Sequence, residues 1–283
     1  MRGLTLYLDG IAHTAPFTYD TLIGFHHEIE ARNATVGNTT YTFASWSDGG
    51  TQDHVIVVPA GGASYTATYT AVTQQAPLAF VQVAAATPQT SQTQVPVVYS
   101  AVQQAADTNI LVIGWNNTTS NVTSVTDSAG NVYQLAAPVV RGNGISQAIY
   151  YAKNIKASAA GANTVTVAFD RATQYVDLRA LEYSGLDLVN PLDTSASASG
   201  TSNTANSGTV TSTAPHELIL GAGTTTGGFS GPGSGFTTRI ITTPDADIAE
   251  DRFVTATGSY SAAASLSGSA AWVMQVVAFK ASS

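Results

Sequence analysis

In Thr164-Val165-Thr166-Val167-Ala168-Phe169, residues Val165, Val167 and Phe169 fall on one face and Thr164, Thr166 and Ala168 on the other. A period of two is that of a half-buried β-strand, whose successive side chains point to opposite faces. The pattern extends outward from there. Leu218, Leu220 and Ala222 alternate in the same way. Ile110-Leu111-Val112-Ile113 is apolar on both faces and reads as a central strand covered twice. Trp272-Val273-Met274-Gln275-Val276-Val277-Ala278-Phe279 reads as a closing strand in the middle of a sheet. Asp127-Ser128-Ala129-Gly130-Asn131 and Arg141-Gly142-Asn143-Gly144 supply hairpin turns. No window of a dozen residues sustains the 3.6-residue apolar period of a helix. The expected fold class is all-β.

Two modules are expected. The first covers residues 1–72, with strands near 4–8, 25–31, 40–46, 54–58 and 64–71. Asp9-Gly10 and Asp48-Gly49-Gly50 mark its turns. About seventy residues make a small core, so this module is expected to lean on neighbours. Residues 73–77, Thr-Gln-Gln-Ala-Pro, form a linker. Residues 78–283 hold more than ten short strands, which predicts a jelly-roll-like antiparallel β-sandwich, with one larger barrel as the alternative. The Ser/Thr/Ala/Asn/Gly stretch 194–213 reads as an exposed edge pair or a loose loop. Gly227–Gly235 reads as a surface loop with Phe229 as a candidate contact.

Composition narrows the function. Charged residues are only 10% of the 283, against about 25% in an average globular protein. With net charge −8 and 10 Lys plus Arg, the chain lacks the clustered cations that phosphate polymers require. The absence of cysteine removes disulfide, thiolate-metal and cysteine-nucleophile chemistry. No apolar run approaches the roughly 20 residues of a membrane helix. Met1-Arg2-Gly3 runs straight into strand-like Leu4-Thr5-Leu6-Tyr7-Leu8 with no signal peptide, so the chain is expected to be a piece of a larger secreted bacterial protein.

Tyr41-Thr42-Phe43-Ala44-Ser45-Trp46-Ser47-Asp48-Gly49-Gly50, followed by His54-Val55-Ile56 and Tyr65-Thr66-Ala67-Thr68-Tyr69, resembles the small β repeats of the internalin B-repeat type. The resemblance covers nearly all of 3–72 and implies a spacer role. The second module resembles bacterial extracellular β domains. It does so through Val125-Thr126-Asp127-Ser128-Ala129-Gly130-Asn131-Val132-Tyr133, Tyr150-Tyr151-Ala152-Lys153-Asn154, Glu182-Tyr183-Ser184-Gly185 and Ala249-Glu250-Asp251-Arg252. That resemblance assigns no catalytic residue. Appended β-sandwiches of this size often bind carbohydrate, which is a fold-level analogy.

Catalytic constellations are sparse. His216 is the second module's one histidine, no Gly-x-Ser-x-Gly elbow exists, and His216 reads as a strand-edge residue. His13, His26, His27 and His54 lie in the first module. Adjacent His26 and His27 point to opposite strand faces and do not chelate one ion together. Glu182 shares a strand face with Val176, Leu178 and Ala180. It is expected to be semi-buried in an ion pair with Arg179, Arg252 or another cation, or else to act as one of two glycosidase carboxyls with an unidentified partner. Asp245, Asp247, Glu250 and Asp251 form the densest acidic cluster, either a solvated loop or a structural calcium site. No other cofactor is expected. Sugar binding needs an exposed aromatic platform beside amides and hydroxyls. Trp115, Asn116 and Asn117, joined by Tyr150 and Tyr175, are the candidates, while Trp46 and Trp272 read as core anchors. The expected role is a non-catalytic carbohydrate-binding accessory module with a polysaccharide or glycan as partner and no membrane insertion. A structural or adhesive subunit that self-associates is the alternative, and a glycoside-cleaving enzyme the second.

Overall fold

The computed structural model describes residues 3–36, 39–73 and 77–282. It divides into two compact units, Met1–Ala76 and Pro77–Ser283. Every regular element described is a strand or an isolated bridge, and all the strand pairs are antiparallel. Among the described residues no helix is long and apolar enough to cross a membrane.

The first unit holds β1 (Thr5–Leu8), β2 (Ile11–Thr14), β3 (His26–Glu30), β4 (Ala34–Val36), β5 (Thr39–Trp46), β6 (Asp53–Val57) and β7 (Ala67–Thr73). They form two sheets, ordered β2-β1-β3-β6 and β4-β5-β7. Asp9 and Gly10 take φ of 49° and 75°, the paired left-handed conformation that lets two residues close the β1–β2 hairpin. Alternation puts His27 and Ile29 inside and His26 and Glu28 outside. The core is small: Leu8, Ile29, Ala31 and Trp46, with Phe43, Tyr65 and Tyr69 against them. Trp46 anchors it and donates its indole N–H to the Gln52 carbonyl at 3.1 Å. Strands β2 and β4, too short to show a period, were not legible in the sequence.

The second unit contains one arrangement built twice. Its first half has β8 (Ala79–Ala86), β9 (Gln92–Val98), β10 (Thr108–Trp115), β11 (Val122–Asp127), β12 (Gln134–Gly142), β13 (Ile145–Ala152), β14 (Thr164–Thr173) and β15 (Asp177–Ser184). They make a five-stranded sheet, β12-β13-β10-β15-β8, and a three-stranded sheet, β11-β14-β9. The second half has β16 (Leu192–Asn206), β17 (Val210–Thr211), β18 (Glu217–Thr225), β19 (Phe229–Gly231), β20 (Thr237–Ile241), β21 (Ile248–Val254), β22 (Ser259–Tyr260) and β23 (Ala263–Lys280). Its large sheet, β20-β21-β18-β23-β16, repeats the first order strand for strand. The long strands β16 and β23 extend beyond the others of this sheet, which β19 joins by pairing with β23, and β17 and β22 form a separate two-stranded sheet. Near its start β23 pairs with β19 at Phe229↔Leu266 and with β16 at Thr204↔Ser265. Even the bulge recurs. Glu182 and Tyr183 pair with Gln82 and Phe80, skipping Val81, while Ala278 and Phe279 pair with Thr194 and Leu192, skipping Asp193.

The two large sheets face each other. Ile110, Val112, Ile149 and Leu181 of the first half meet Leu218, Leu220, Val277 and Phe279 of the second. On its other face the first large sheet packs Leu111, Ile113 and Trp115 against Val95, Val165, Val167 and Phe169. A third core lies behind the second large sheet, around Ile219, Met274, Val276, Phe229 and Trp272. All of β10 is therefore buried, as its two apolar faces require. The second unit is thus an all-β architecture of several antiparallel sheets stacked in layers. The stretch 194–213 begins as the edge strand β16. Phe229 is buried and its ring would touch a Cβ at Gly223 at 2.5 Å, so it is core and not a surface contact.

Candidate functional site

At one end of the first half, β10 runs out into 116–121 and the chain returns through 170–176 to β15. Trp115 is the last residue of β10 and its side chain follows Leu111 and Ile113 into the core. It is 0% exposed and packs edge-on against Phe169 at 5.6 Å, so it is no platform for a ligand. Asn116 is exposed and its backbone N–H donates to the Gln174 carbonyl at 3.2 Å, which brings the two loops together. Asn117 turns inward, its Oδ1 accepting from the amides of Thr119 (2.9 Å) and Ser120 (2.7 Å). This is the local turn chemistry of Asn.

Tyr175 is the aromatic that this end displays. It is 42% exposed, and its neighbour Val176 is fully buried. Its φ of 48° is left-handed, which for a bulky residue costs on the order of 1–3 kcal/mol and persists only where the surroundings impose it. The segment that carries it is polar, and the two loops of this end are joined by hydrogen bonds. Asp170 accepts from the Asn121 backbone N–H (3.0 Å) and side-chain amide (2.9 Å). Those bonds, with the Arg171 guanidinium, hold its carboxyl down to about 2. Arg141 donates to Asn121 Oδ1 at 2.8 Å and to the Ser120 carbonyl at 3.0 Å. Asp170 and Arg171 were not singled out in the sequence, and Arg141 was read only as part of a hairpin turn, since nothing there marks residues in separate turns as neighbours.

Tyr150 does not join this end. It is half-buried on β13, opposite Leu111 and Leu135, and burial raises its phenol. Of the five expected ligand residues, the structure brings only Asn116 and Tyr175 together with their side chains open to solvent.

The four expected metal ligands are dispersed. Asp245 is half-exposed and accepts from Gln89 Nε2 at 3.0 Å. Asp247 is buried, with Thr225 N–H at 2.9 Å and Arg179 Nη2 at 3.7 Å. Glu250 and Asp251 are consecutive on β21 and so face opposite ways. Glu250 takes the Gly233 N–H at 2.8 Å, whereas Asp251 takes Tyr183 OH at 2.8 Å and Arg239 Nε at 2.7 Å. Among the described residues no three His, Cys, Asp or Glu side chains are gathered to hold a metal.

Glu182 is fully buried and pairs with neither Arg179 nor Arg252. Its Oε2 accepts from Gln82 Nε2 at 2.5 Å, and its other neighbour is the Asp107 carboxyl. Burial, then the charge of Glu182, pushes Asp107 up to about 7. Two facing carboxyls in a low-dielectric site share a proton. Asp107 is 5% exposed and Glu182 0%, so this pair is closed to a polysaccharide. Arg179, on the opposite strand face, pairs with Asp177 at 2.9 Å and with Asp247. No protein-family model matches this chain, and neither a curated protein nor a solved structure matches it.

Proposed function

We propose that the chain is a carbohydrate-binding accessory module of a larger secreted bacterial protein, with the first unit acting as a spacer of the B-repeat kind. The observation that carries this reading is Tyr175, held solvent-exposed at a left-handed φ next to Gln174, whose carbonyl takes the Asn116 N–H, on the same returning segment as Asp170 and Arg171. An exposed ring stacks on the apolar face of a sugar, and fixed amides and carboxylates take its hydroxyls. The loop end of a β-sandwich is a rigid place to mount such groups. Numbering each half of the second unit from one to eight, both large sheets run 5-6-3-8-1, while the small sheet is 4-7-2 in the first half and a 2-7 pair in the second. That order supports a jelly-roll-like reading for each half. Recognition by stacking and hydrogen bonds should depend weakly on salt.

The test is retention on insoluble polysaccharides together with a glycan array, with and without calcium. Retention on at least one glycan should fall about tenfold or more in Tyr175→Ala, the loss of roughly 1.4 kcal/mol, with the far-ultraviolet circular dichroism unchanged. Equal retention of Tyr175→Ala, or no retention on any glycan, overturns the reading.

A further inference from the structure

In the first unit, three side chains on separate segments form a hydrogen-bonded line. His27 projects inward from β3 and is 8% exposed. Its Nδ1 lies 2.6 Å from Asp9 Oδ2 in the β1–β2 turn, and its Nε2 lies 2.8 Å from the hydroxyl of Thr21. Asp9 is fixed from two sides. Its Oδ1 accepts the Glu28 N–H at 2.9 Å, and its own N–H donates to the Glu28 carbonyl at 2.9 Å. The His27 hydrogen bond first, then that of Glu28 N–H, holds the Asp9 carboxyl below its ordinary range. An ionised carboxylate only accepts, so Nδ1 carries a proton, and in the neutral imidazole Nε2 is then the nitrogen whose lone pair faces the Thr21 hydroxyl.

The surroundings suit a reacting acyl group. Thr21 is exposed. The backbone N–H groups of Leu22 and Ile23, directly after it, carry no hydrogen bond among the described residues. The amide following a nucleophile is a common donor to a developing oxyanion. Tyr19 stands edge-on to His27 at 5.6 Å, and Phe25 lies tilted to it at 6.5 Å. Both rings are about half exposed and offer apolar walls. His13, stacked on Phe17 at 4.3 Å and near Tyr19, steadies the loop.

We propose that Thr21, His27 and Asp9 form an acyl-transfer centre that hydrolyses small carboxylic esters. The Thr21 oxygen attacks the ester carbonyl carbon as its proton passes to His27 Nε2. The tetrahedral intermediate expels the alcohol, which takes that proton, leaving an acyl-threonine. Water then attacks the acyl carbon, gives a proton to His27, and the collapse releases the carboxylic acid and returns the proton to Thr21. Asp9 is a positioning residue that keeps the imidazole in the acting tautomer. The centre is independent of glycan binding at Tyr175.

The full chain should hydrolyse p-nitrophenyl acetate, and a fluorophosphonate probe should label Thr21 in peptide mapping. Thr21→Ala and His27→Gln should each lower kcat by on the order of 100-fold. Thr21→Ser, which removes the branching methyl, should keep or raise it. Asp9→Asn should lower kcat with KM held, a split that mere loosening of the loop would not produce. Turnover equal in the unchanged chain and in Thr21→Ala, or a probe that leaves Thr21 unlabelled in the unchanged chain, overturns the proposal.

Discussion

Arg179 shows how single side chains hold the two halves of the second unit together. It is fully buried between the large sheets, where a cation is tolerated only if it is paired with opposite charge and hydrogen-bonded. Nη1 donates to the carbonyls of Gly223 (2.8 Å) and Ile248 (2.5 Å), and Nη2 to Gln147 Oε1 (3.2 Å) and Thr224 Oγ1 (3.0 Å). Asp177 and Asp247 supply the countercharge. Room for the cluster comes from Gly114 on β10. A Cβ there would lie 2.2 Å from Thr224 Oγ1 and 3.1 Å from both Arg179 Nη2 and Asp247 Oδ2. Gly114→Ala should therefore destabilise the second unit by about 1–3 kcal/mol, the usual cost of overpacking, seen as a lower Tm in calorimetry. An unchanged Tm would mean that the cluster yields without loss.

At the scale of elements, the corresponding strands β10 and β18 each begin at a buried acid. Thr108 pairs with Tyr183 and Leu218 with Phe279, which makes Asp107 and Glu217 equivalent. Both are raised to about 7, chiefly by burial. The sign follows directly. Both groups hold a proton in the folded state at pH values where the unfolded chain has released it, so each stabilises the fold most below its unfolded pKa, near 4. That contribution is lost as pH rises to about 7 and is flat above. Denaturation midpoints should therefore fall between pH 5 and pH 7.5, with a slope of up to roughly 1.4 kcal/mol per pH unit for a fully buried carboxyl. Asp107→Asn, combined with Glu217→Gln, should reduce the slope, and adding Glu250→Gln, whose carboxyl burial also raises to about 7, should flatten it. A slope retained in the triple variant would place the titration elsewhere. Legibility varied among the elements. β10, β14 and β23 announced themselves by runs long enough to show a period. β19 was hidden in a glycine-rich stretch that reads as loop, because Gly227, Gly228 and Gly233 there answer to close packing against Ala270, Ala246 and Ala263.

For the whole molecule, the duplication makes the interface between the large sheets a pseudo-dimer contact inside one chain. Ile110, Val112, Ile149 and Leu181 are buried by the second half. Each such side chain gains roughly 1.5–3 kcal/mol from leaving water. A chain ending at residue 190 would expose that face and leave Arg179 without Gly223, Thr224 and Asp247. It should self-associate through this sheet, eluting as a dimer or larger species in size-exclusion chromatography with light scattering. A folded monomer would show that the face is stable in water.

The amino-acid sequence by itself determined the all-β class, the strand faces and the double burial of β10, because a period of two is a local property that survives any tertiary context. It placed Tyr175 and Asn116 among the candidates but also Trp115, since alternation tells which residues share a face and not whether a second sheet covers that face. Only the tertiary structure decided that Trp115 is core, that Glu182 meets Asp107 instead of an arginine, and that Thr21, His27 and Asp9 align. The duplication also stayed hidden until the strands were paired. The halves share strand order and bulge but not side chains, with Arg179 of one standing where the other has Gln275, and Tyr183 where it has Phe279. Backbone pairing tolerates such exchanges so long as each face keeps its packing, so likeness of fold outlasts likeness of residues.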